Sequence, residues 1–374
     1  MESLVMGMPS TIWRDEIAIP SKPIAGESAW KGATLKDPAK WQYVFTDADI
    51  SELELALHYV RENGMDMLQI RSKLDFPLQA LGKTFEKLRQ NVLYGNGVLL
   101  LRGLPIDRYS KQDVATIYYG IGLYLGYPVS QNAQGQLLGH VIDLGAESEA
   151  DASGDKPKVF FHTKGRGYNT RERFRFHCDK SDLVGLLCMH PAKQGGQSLM
   201  VSSVAIHNEI MARRPDLLEV LYQPFWTSRQ QEVPSGGRPY FQMPVFHFHK
   251  GEFICHYTRT WIESCKQFSE LPPQTPQQKE ALDLFDELAE DPAFQLPMDL
   301  ERGDIQFLNN HTVLHTRTAY EDFEDPELKR HLLRLMLVTP DAQALPFWFY
   351  DCFGAGKRGG IYVPGMVEVA SMEF

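Results

Sequence analysis

The 374-residue sequence predicts a mainly β protein, a sandwich or double-sheet barrel with flanking helices, and three observations carry that expectation. From about residue 139 onward, apolar and aromatic runs are short and recur closely, as strands do. Helical periodicity is concentrated before residue 125 and afterwards returns at only two places. No glycine-, proline- or serine-rich linker divides the helical part from the rest, so a single domain, 1–374, is expected.

Taken in order, residues 1–40 are rich in Pro, Gly, Ser and Lys without periodicity and read as an extended arm. Residues 51–63 and 77–93 carry apolar side chains at helical spacing, and each stretch ends near a glycine. Val98-Leu99-Leu100-Leu101 between glycines fits a buried strand, and 111–125 reads as a helix. Strand-like runs follow at 159–161, 173–176, 183–188, 198–201, 240–249, 253–258, 304–308, 312–315 and 331–338. Helical patterns interrupt them at 204–213, behind the cap Ser202-Ser203, and at 277–290.

Composition narrows the function. Apolar residues make up 43% of the chain and charged residues 23%, with a formal net charge of −10. No run approaches the roughly 18 apolar residues of a membrane helix. The acidic balance argues against nucleic acid or an anionic membrane as partner, since both need clustered Lys and Arg. A small-molecule ligand held by a few local arginines stays open. The five cysteines are scattered without a CxxC pair, and the first residues resemble no secretory signal, so a reducing, cytoplasmic setting is expected.

Two segments carry chemistry. In Phe176-His177-Cys178-Asp179, strand geometry turns His177 and Asp179 to one face. In Gly303-Asp304-Ile305-Gln306-Phe307-Leu308-Asn309-Asn310-His311-Thr312-Val313-Leu314-His315, a distant histidine completes two imidazoles and one carboxylate. That set holds Fe(II) and leaves positions open for a bidentate co-substrate and dioxygen. His315, after an apolar run, is preferred to His311, which sits beside the Asn-Asn turn and reads as a local turn residue. Arg330 and Arg334, four apart on the next run, share a face. Inward-facing guanidiniums need anions, and they grip carboxylates bidentately; an internal acid such as Asp304 is one partner open to Arg334.

With these residues in view, the chain resembles the TauD/TfdA-like family of Fe(II)- and 2-oxoglutarate-dependent dioxygenases over about 95–340. The resemblance is strongest at 176–182, Gly195-Gly196-Gln197-Ser198, 303–317 and 330–334. It implies a double-stranded β-helix, a cupin-like jelly roll, with His177, Asp179 and His315 as catalytic iron ligands. It further implies Arg330 and Ser198 as contacts to 2-oxoglutarate, with Arg334 touching co-substrate or substrate. The implied reaction uses O2, releases succinate and carbon dioxide, and hydroxylates, desaturates or cyclises a small, anionic or amino-acid-derived metabolite at an unactivated C–H bond. Gln197, where an acid is common, and Asn309-Asn310, where Asp-Asn is frequent, depart from the family pattern and bear on the surroundings of the metal, not its ligands.

Other features have plainer readings. His247 and His249 form an i, i+2 pair before a Lys250-Gly251 hairpin turn; a zinc site is conceivable there, and a surface face of the hairpin is the expectation. Gly354-Ala355-Gly356-Lys357-Arg358 lacks the phosphate-loop pattern. Pro346-Phe347-Trp348-Phe349-Tyr350 reads as core. Two other functional classes use the same residues: a metal hydrolase, which needs no dicarboxylate anchor, and a catalytically inactive jelly-roll binding protein.

Overall fold

Capping chemistry and strand alternation together build the layers that frame the site. The computed structural model describes residues 18–143, 170–353 and 357–372; the strand expected at 159–161 and residues Gly354-Ala355-Gly356 lie outside them. Helix α1 (Asp47–Glu62) starts at a capping box in which Thr46 and Asp49 satisfy each other's backbone N–H groups. This cap places the start four residues before the apolar periodicity does. After α2 (Ala80–Tyr94), α3 (Lys111–Leu125) begins at a second such box, Ser110 with Asp113, and matches its expected span.

The larger sheet contains β1 (Gln42–Val44), β2 (Val98–Arg102), β3 (Tyr127–Pro128), β4 (Leu138–Ile142) and β5 (Leu183–His190). Two late strands complete it, β13 (Ile305–Asn309) and β16 (His331–Val338). Its order is β1-β2-β13-β5-β16, with β3 and β4 both on the far side of β16. Every pairing except the parallel β1–β2 is antiparallel. Alternation decides the faces: Leu99, Leu101, Ile305, Phe307, Leu333, Leu335 and Leu337 pack against α1–α3, while Val98, Leu100, Val184 and Leu308 join the inner core.

Opposite lies the smaller sheet, β12 (Gln295–Met298), β7 (Ser198–Ser202) and β14 (Val313–Arg317), in that order. Its outer face, through Leu199, Val201 and Leu314, packs on α4 (Ser203–Arg213), α5 (Pro215–Leu221) and α7 (Pro276–Glu290). Antiparallel ribbons accompany it: β8 (Pro224–Ser228) with β9 (Tyr240–Pro244), β10 (Phe246–His249) with β11 (Glu252–Cys255), and the short pair β6 (Gln194–Gly195) with β15 (Tyr320–Glu321); the short helix α6 (Arg259–Glu263) follows β11. Two sheets facing one another between helical layers are the expected jelly roll. Among the described residues no helix is long and apolar enough to cross a membrane.

Several expectations change. No strand forms at 173–176; His177 is a single bridge residue that pairs with both His315 and Thr258, extending the smaller sheet by one position. The run 240–249 breaks into two strands at Val245. Lys250 and Gly251, both at positive φ, do form the hairpin turn, but His247 is 4% exposed and packs against Phe349, so it does not lie on a surface face, whereas His249 is half-buried. The described part of the N-terminal arm is packed: Trp30 is buried and its indole N–H donates to the carbonyl of Asn96 at 2.8 Å. Ser202 does cap α4, its hydroxyl accepting from the Ala205 N–H. Phe349, on α8 (Phe347–Phe353), is core, whereas Phe347 is exposed.

Candidate active site

His177, Asp179 and His315 meet on the inner face of the smaller sheet. The backbone N–H of His177 donates to the carbonyl of His315 at 3.1 Å, and the reverse bond closes at 2.9 Å. This doubly bonded pair sets the two imidazoles side by side, ring centroids 4.5 Å apart. Nδ1 of His177 lies 3.1 Å from the carbonyl of Arg175, which selects the tautomer protonated there and leaves Nε2 as the basic nitrogen. Nε2 of His315 stands 3.7 Å from Oδ2 of Asp179. Nδ1 of His315 is buried without a hydrogen-bond partner among the described residues.

Burial pushes the His315 imidazole down to about 3, with neighbouring His177 adding to the effect and Asp179 opposing it. Burial likewise lowers His177, again against the pull of Asp179. Both rings are therefore neutral near pH 7, the form that donates a lone pair to a metal. As they stand, no three His, Cys, Asp or Glu side chains among the described residues converge closely enough to hold a metal ion. Arg334 shares Asp179: its Nη1 donates to Oδ1 at 3.3 Å, and its Nε to Oε1 of Gln131 at 2.7 Å. The donor set, two neutral imidazoles and a carboxylate with an orphaned buried nitrogen, fits a divalent iron.

A second group lies just ahead of β16. Arg330 is 4% exposed, and its Nη1 has no hydrogen-bond partner among the described residues. Gly196 touches it: a Cβ there would stand 3.2 Å from Nε of Arg330, and the positive φ of +74° also favours glycine. The Gly-Gly-Gln-Ser segment thus meets the arginine strand, and buried Ser198 pairs in register with Arg317. Arg317 was not singled out from the sequence. Its guanidinium is buried and stacks on Tyr320 at 4.6 Å, with Arg330 on the same ring at 5.1 Å. Burial and the neighbouring Arg330 push Arg317 down to about 10. Arg317 gives its terminal nitrogens to the carbonyls of Thr170, Arg171, Glu172 and Thr318, so Arg330 is the guanidinium here suited to an oxyanion.

Other partners were not legible in advance. Asp304 is bound to Arg102 at 2.6 Å, so it is no partner for Arg334. Gln131 reaches Arg334 because Gly139, opposite it on β4, leaves room; a Cβ there would fall 2.4 Å from the Gln131 oxygen. His311 does sit on the turn, but its ring is buried and its Nε2 lies 2.7 Å from Oδ1 of the distant Asp182. Gln197 turns away to Asp299, whereas Asn310 accepts the backbone N–H of Asp179.

A jelly roll bearing paired imidazoles, a carboxylate and buried arginines defines a class, the non-haem iron oxygenases. A model of the taurine catabolism dioxygenase TauD, TfdA family matches residues 66–336, and the chain belongs to that family. It is 30% identical over 334 residues to FR-33289 synthase of Streptomyces rubellomurinus, covering 88% of this chain and 94% of that protein. It is 31% identical over 320 residues to the taurine hydroxylase-like protein SAT17 of Stachybotrys chartarum, covering 84% and 80% respectively. Among solved structures, an asparagine oxygenase complex with Fe(II), 3-hydroxyasparagine and succinate shares the fold, with a TM-score of 0.59 at 16% identity over 79% of this chain and 93% of that one. The protein is an enzyme, a dioxygenase working with Fe(II), 2-oxoglutarate and O2; the hydrolase and the inactive binding protein find no support.

Proposed function

We propose that His177, Asp179 and His315 hold the iron, that Arg330 and Ser198 anchor the far carboxylate of 2-oxoglutarate, and that Arg334 stands where co-substrate and substrate meet. The observation that carries this reading is the meeting of two neutral imidazoles and a carboxylate from segments more than 130 residues apart, beside buried arginines. Fe(II) bound there supplies, with 2-oxoglutarate and O2, the oxidant for C–H cleavage, with succinate and carbon dioxide released. The chain's own part is orientation. The carbonyl of Arg175 fixes the His177 tautomer, and Arg334 holds one oxygen of Asp179 while the other faces His315.

The substrate in this reading is a small anionic or amino-acid-derived metabolite, hydroxylated, desaturated or closed into a ring. Arg334, beyond the arginine assigned to 2-oxoglutarate, brings a second guanidinium to Asp179 in a chain of net charge −10 and suits an anionic group there. The fold neighbour named an asparagine oxygenase points to the same chemical class. The reading takes 1–374 as one catalytic domain in the cytoplasm, where the five buried free thiols stay reduced.

The test is a metabolite screen with Fe(II) and 2-oxoglutarate under anaerobic conditions, read by perturbation of the iron's visible charge-transfer band. Hits are then assayed in air for succinate. An anionic or amino-acid-like metabolite should perturb the band and stimulate succinate release. A protein that forms no such band with Fe(II) and 2-oxoglutarate would contradict the ligand assignment.

A further inference from the structure

Residues 357–361 lie beyond 66–336, the part of the chain that the family model matches, yet they are built against the Asp179 segment. The Gly360 N–H donates to the carbonyl of Lys180 at 2.7 Å, and the Ile361 N–H to that of Ser130 at 2.9 Å. Nε of Arg358 donates to Oδ2 of Asp182 at 2.6 Å, while its Nη2 reaches the carbonyl of Gln343 at 2.8 Å. The approach is close enough to demand glycine: a Cβ on Gly359 would stand 2.7 Å from Cγ1 of Val338 and 3.1 Å from the Lys180 carbonyl oxygen.

Asp182 gathers this end of the site. It is 1% exposed and receives, besides Arg358, the His311 imidazole at 2.7 Å and both the N–H and hydroxyl of Thr339 at 2.6 and 3.0 Å. Burial alone would raise its carboxyl, but His311 and Arg358 outweigh that and hold it below the usual carboxylate range. Asn310 completes the frame, accepting the Asp179 N–H and donating to the Ser181 hydroxyl, both at 3.1 Å. Each residue from Asp179 to Asp182 is thus held by a hydrogen bond from the 309–311 turn, the end of β16 or the C-terminal segment.

We propose that residues 357–361 are a latch for the metal site, and that Arg358, acting through Asp182, is a positioning residue for the Asp179 carboxylate. This rests on Asp179 being an iron ligand. Groups that orient a ligand act on the metal without touching it. Their loss lowers metal affinity more than fold stability alone would explain.

The test titrates Fe(II) alone, anaerobically and without 2-oxoglutarate, into the full-length chain, measuring bound metal by equilibrium dialysis and correcting for the folded fraction by circular dichroism. Arg358→Gln should weaken Fe(II) binding about 10- to 100-fold. Arg358→Lys, which keeps the charge and loses the planar fork, should recover part of the loss. Gly359→Ala pushes on the Lys180 backbone without removing a charge; it should weaken binding in the same direction, and it decides the matter if Arg358→Gln does not fold. Wild-type Fe(II) affinity in Gly359→Ala and in folded Arg358→Gln, with metal lost in Asp179→Ala, overturns the latch alone. Wild-type affinity in Asp179→Ala overturns the ligand assignment and the latch with it.

Discussion

Strands β13 and β14 follow one another across the Asn309-Asn310 turn, have five residues each and are buried throughout, yet they differ in what surrounds them. β13 reads Ile-Gln-Phe-Leu-Asn and is paired along its length with β2 on one side and β5 on the other. β14 reads Val-Leu-His-Thr-Arg and has β7 on one edge, while on the other, among the described residues, the bridge is with His177 alone. A strand with two full neighbours and a helical layer behind it is held by hydrocarbon. An edge strand with one bridge leaves its inner face for polar side chains. Strand β13 therefore holds the fold, and β14 presents the chemistry.

Substitutions on either side can break that division, and the largest effect is expected on the smaller sheet. Asp179→Ala and His315→Ala should each abolish Fe(II) binding and succinate release while the thermal midpoint stays close to that of the wild type. His311→Ala should retain metal, weakened, and lose stability; reversed severities of the two histidine variants would move the ligand to His311. On β13, Phe307→Ala empties a site with no solvent exposure and should cost about 3–5 kcal/mol of stability by urea unfolding. Its folded fraction should bind Fe(II) as the wild type does. A large loss of metal affinity there would show the two sheets to be coupled.

Arg330→Ala should leave metal content unchanged and weaken 2-oxoglutarate binding by about 2–5 kcal/mol, the usual loss on truncating one partner of a desolvated charge pair. Unaltered co-substrate affinity would separate β16 from the chemistry. A pH effect of similar size comes from behind the smaller sheet, where His207 is fully buried and bonded to the Tyr222 hydroxyl. Burial holds it at about 4 against 6.5 in the unfolded chain. The unfolded state takes up that proton first as pH falls, so the contribution is complete above about pH 6.5 and is lost on the way down to about 4. The loss is about 3 kcal/mol. Urea midpoints against pH should show the slope, and His207→Gln should reduce it by that amount, leaving the share of the other buried histidines such as His315. Smallest of all, Arg334→Lys should weaken substrate binding by about tenfold, and 2-oxoglutarate binding less, because the charge persists and only the fork is lost. Equal losses for both ligands would assign Arg334 to the co-substrate.

Much of this arrangement was readable in advance where a residue's role follows from its neighbours along the chain. The apolar run before His315 needed no more than the pleat of a strand, whereas His177 and Asp179 lie on a single bridge residue and the loop after it, where the strand expected at 173–176 does not form. Features that depend on distant partners were not. His247 looked like a hairpin surface until α8 covered it. Asp304 looked available to Arg334 until Arg102 took it. Arg317 and Gln131 carried no local signal, since a lone arginine or glutamine acquires a role only through what faces it.

By itself, the sequence determined the alternation of β5, β13 and β16, the caps of α1, α3 and α4, and the kinds of side chain that can hold a metal and a dicarboxylate. Those properties are set by hydrogen bonds and side-chain directions within a few residues. Tertiary structure decided which histidine stands beside His177, because the bridge to His315 joins segments far apart in the chain. It also decided that an arginine beyond the family match closes on Asp182. The physical reason is burial. An isolated imidazole or guanidinium is hydrated and uncommitted, and only the packed protein removes that water and leaves each group a single set of partners.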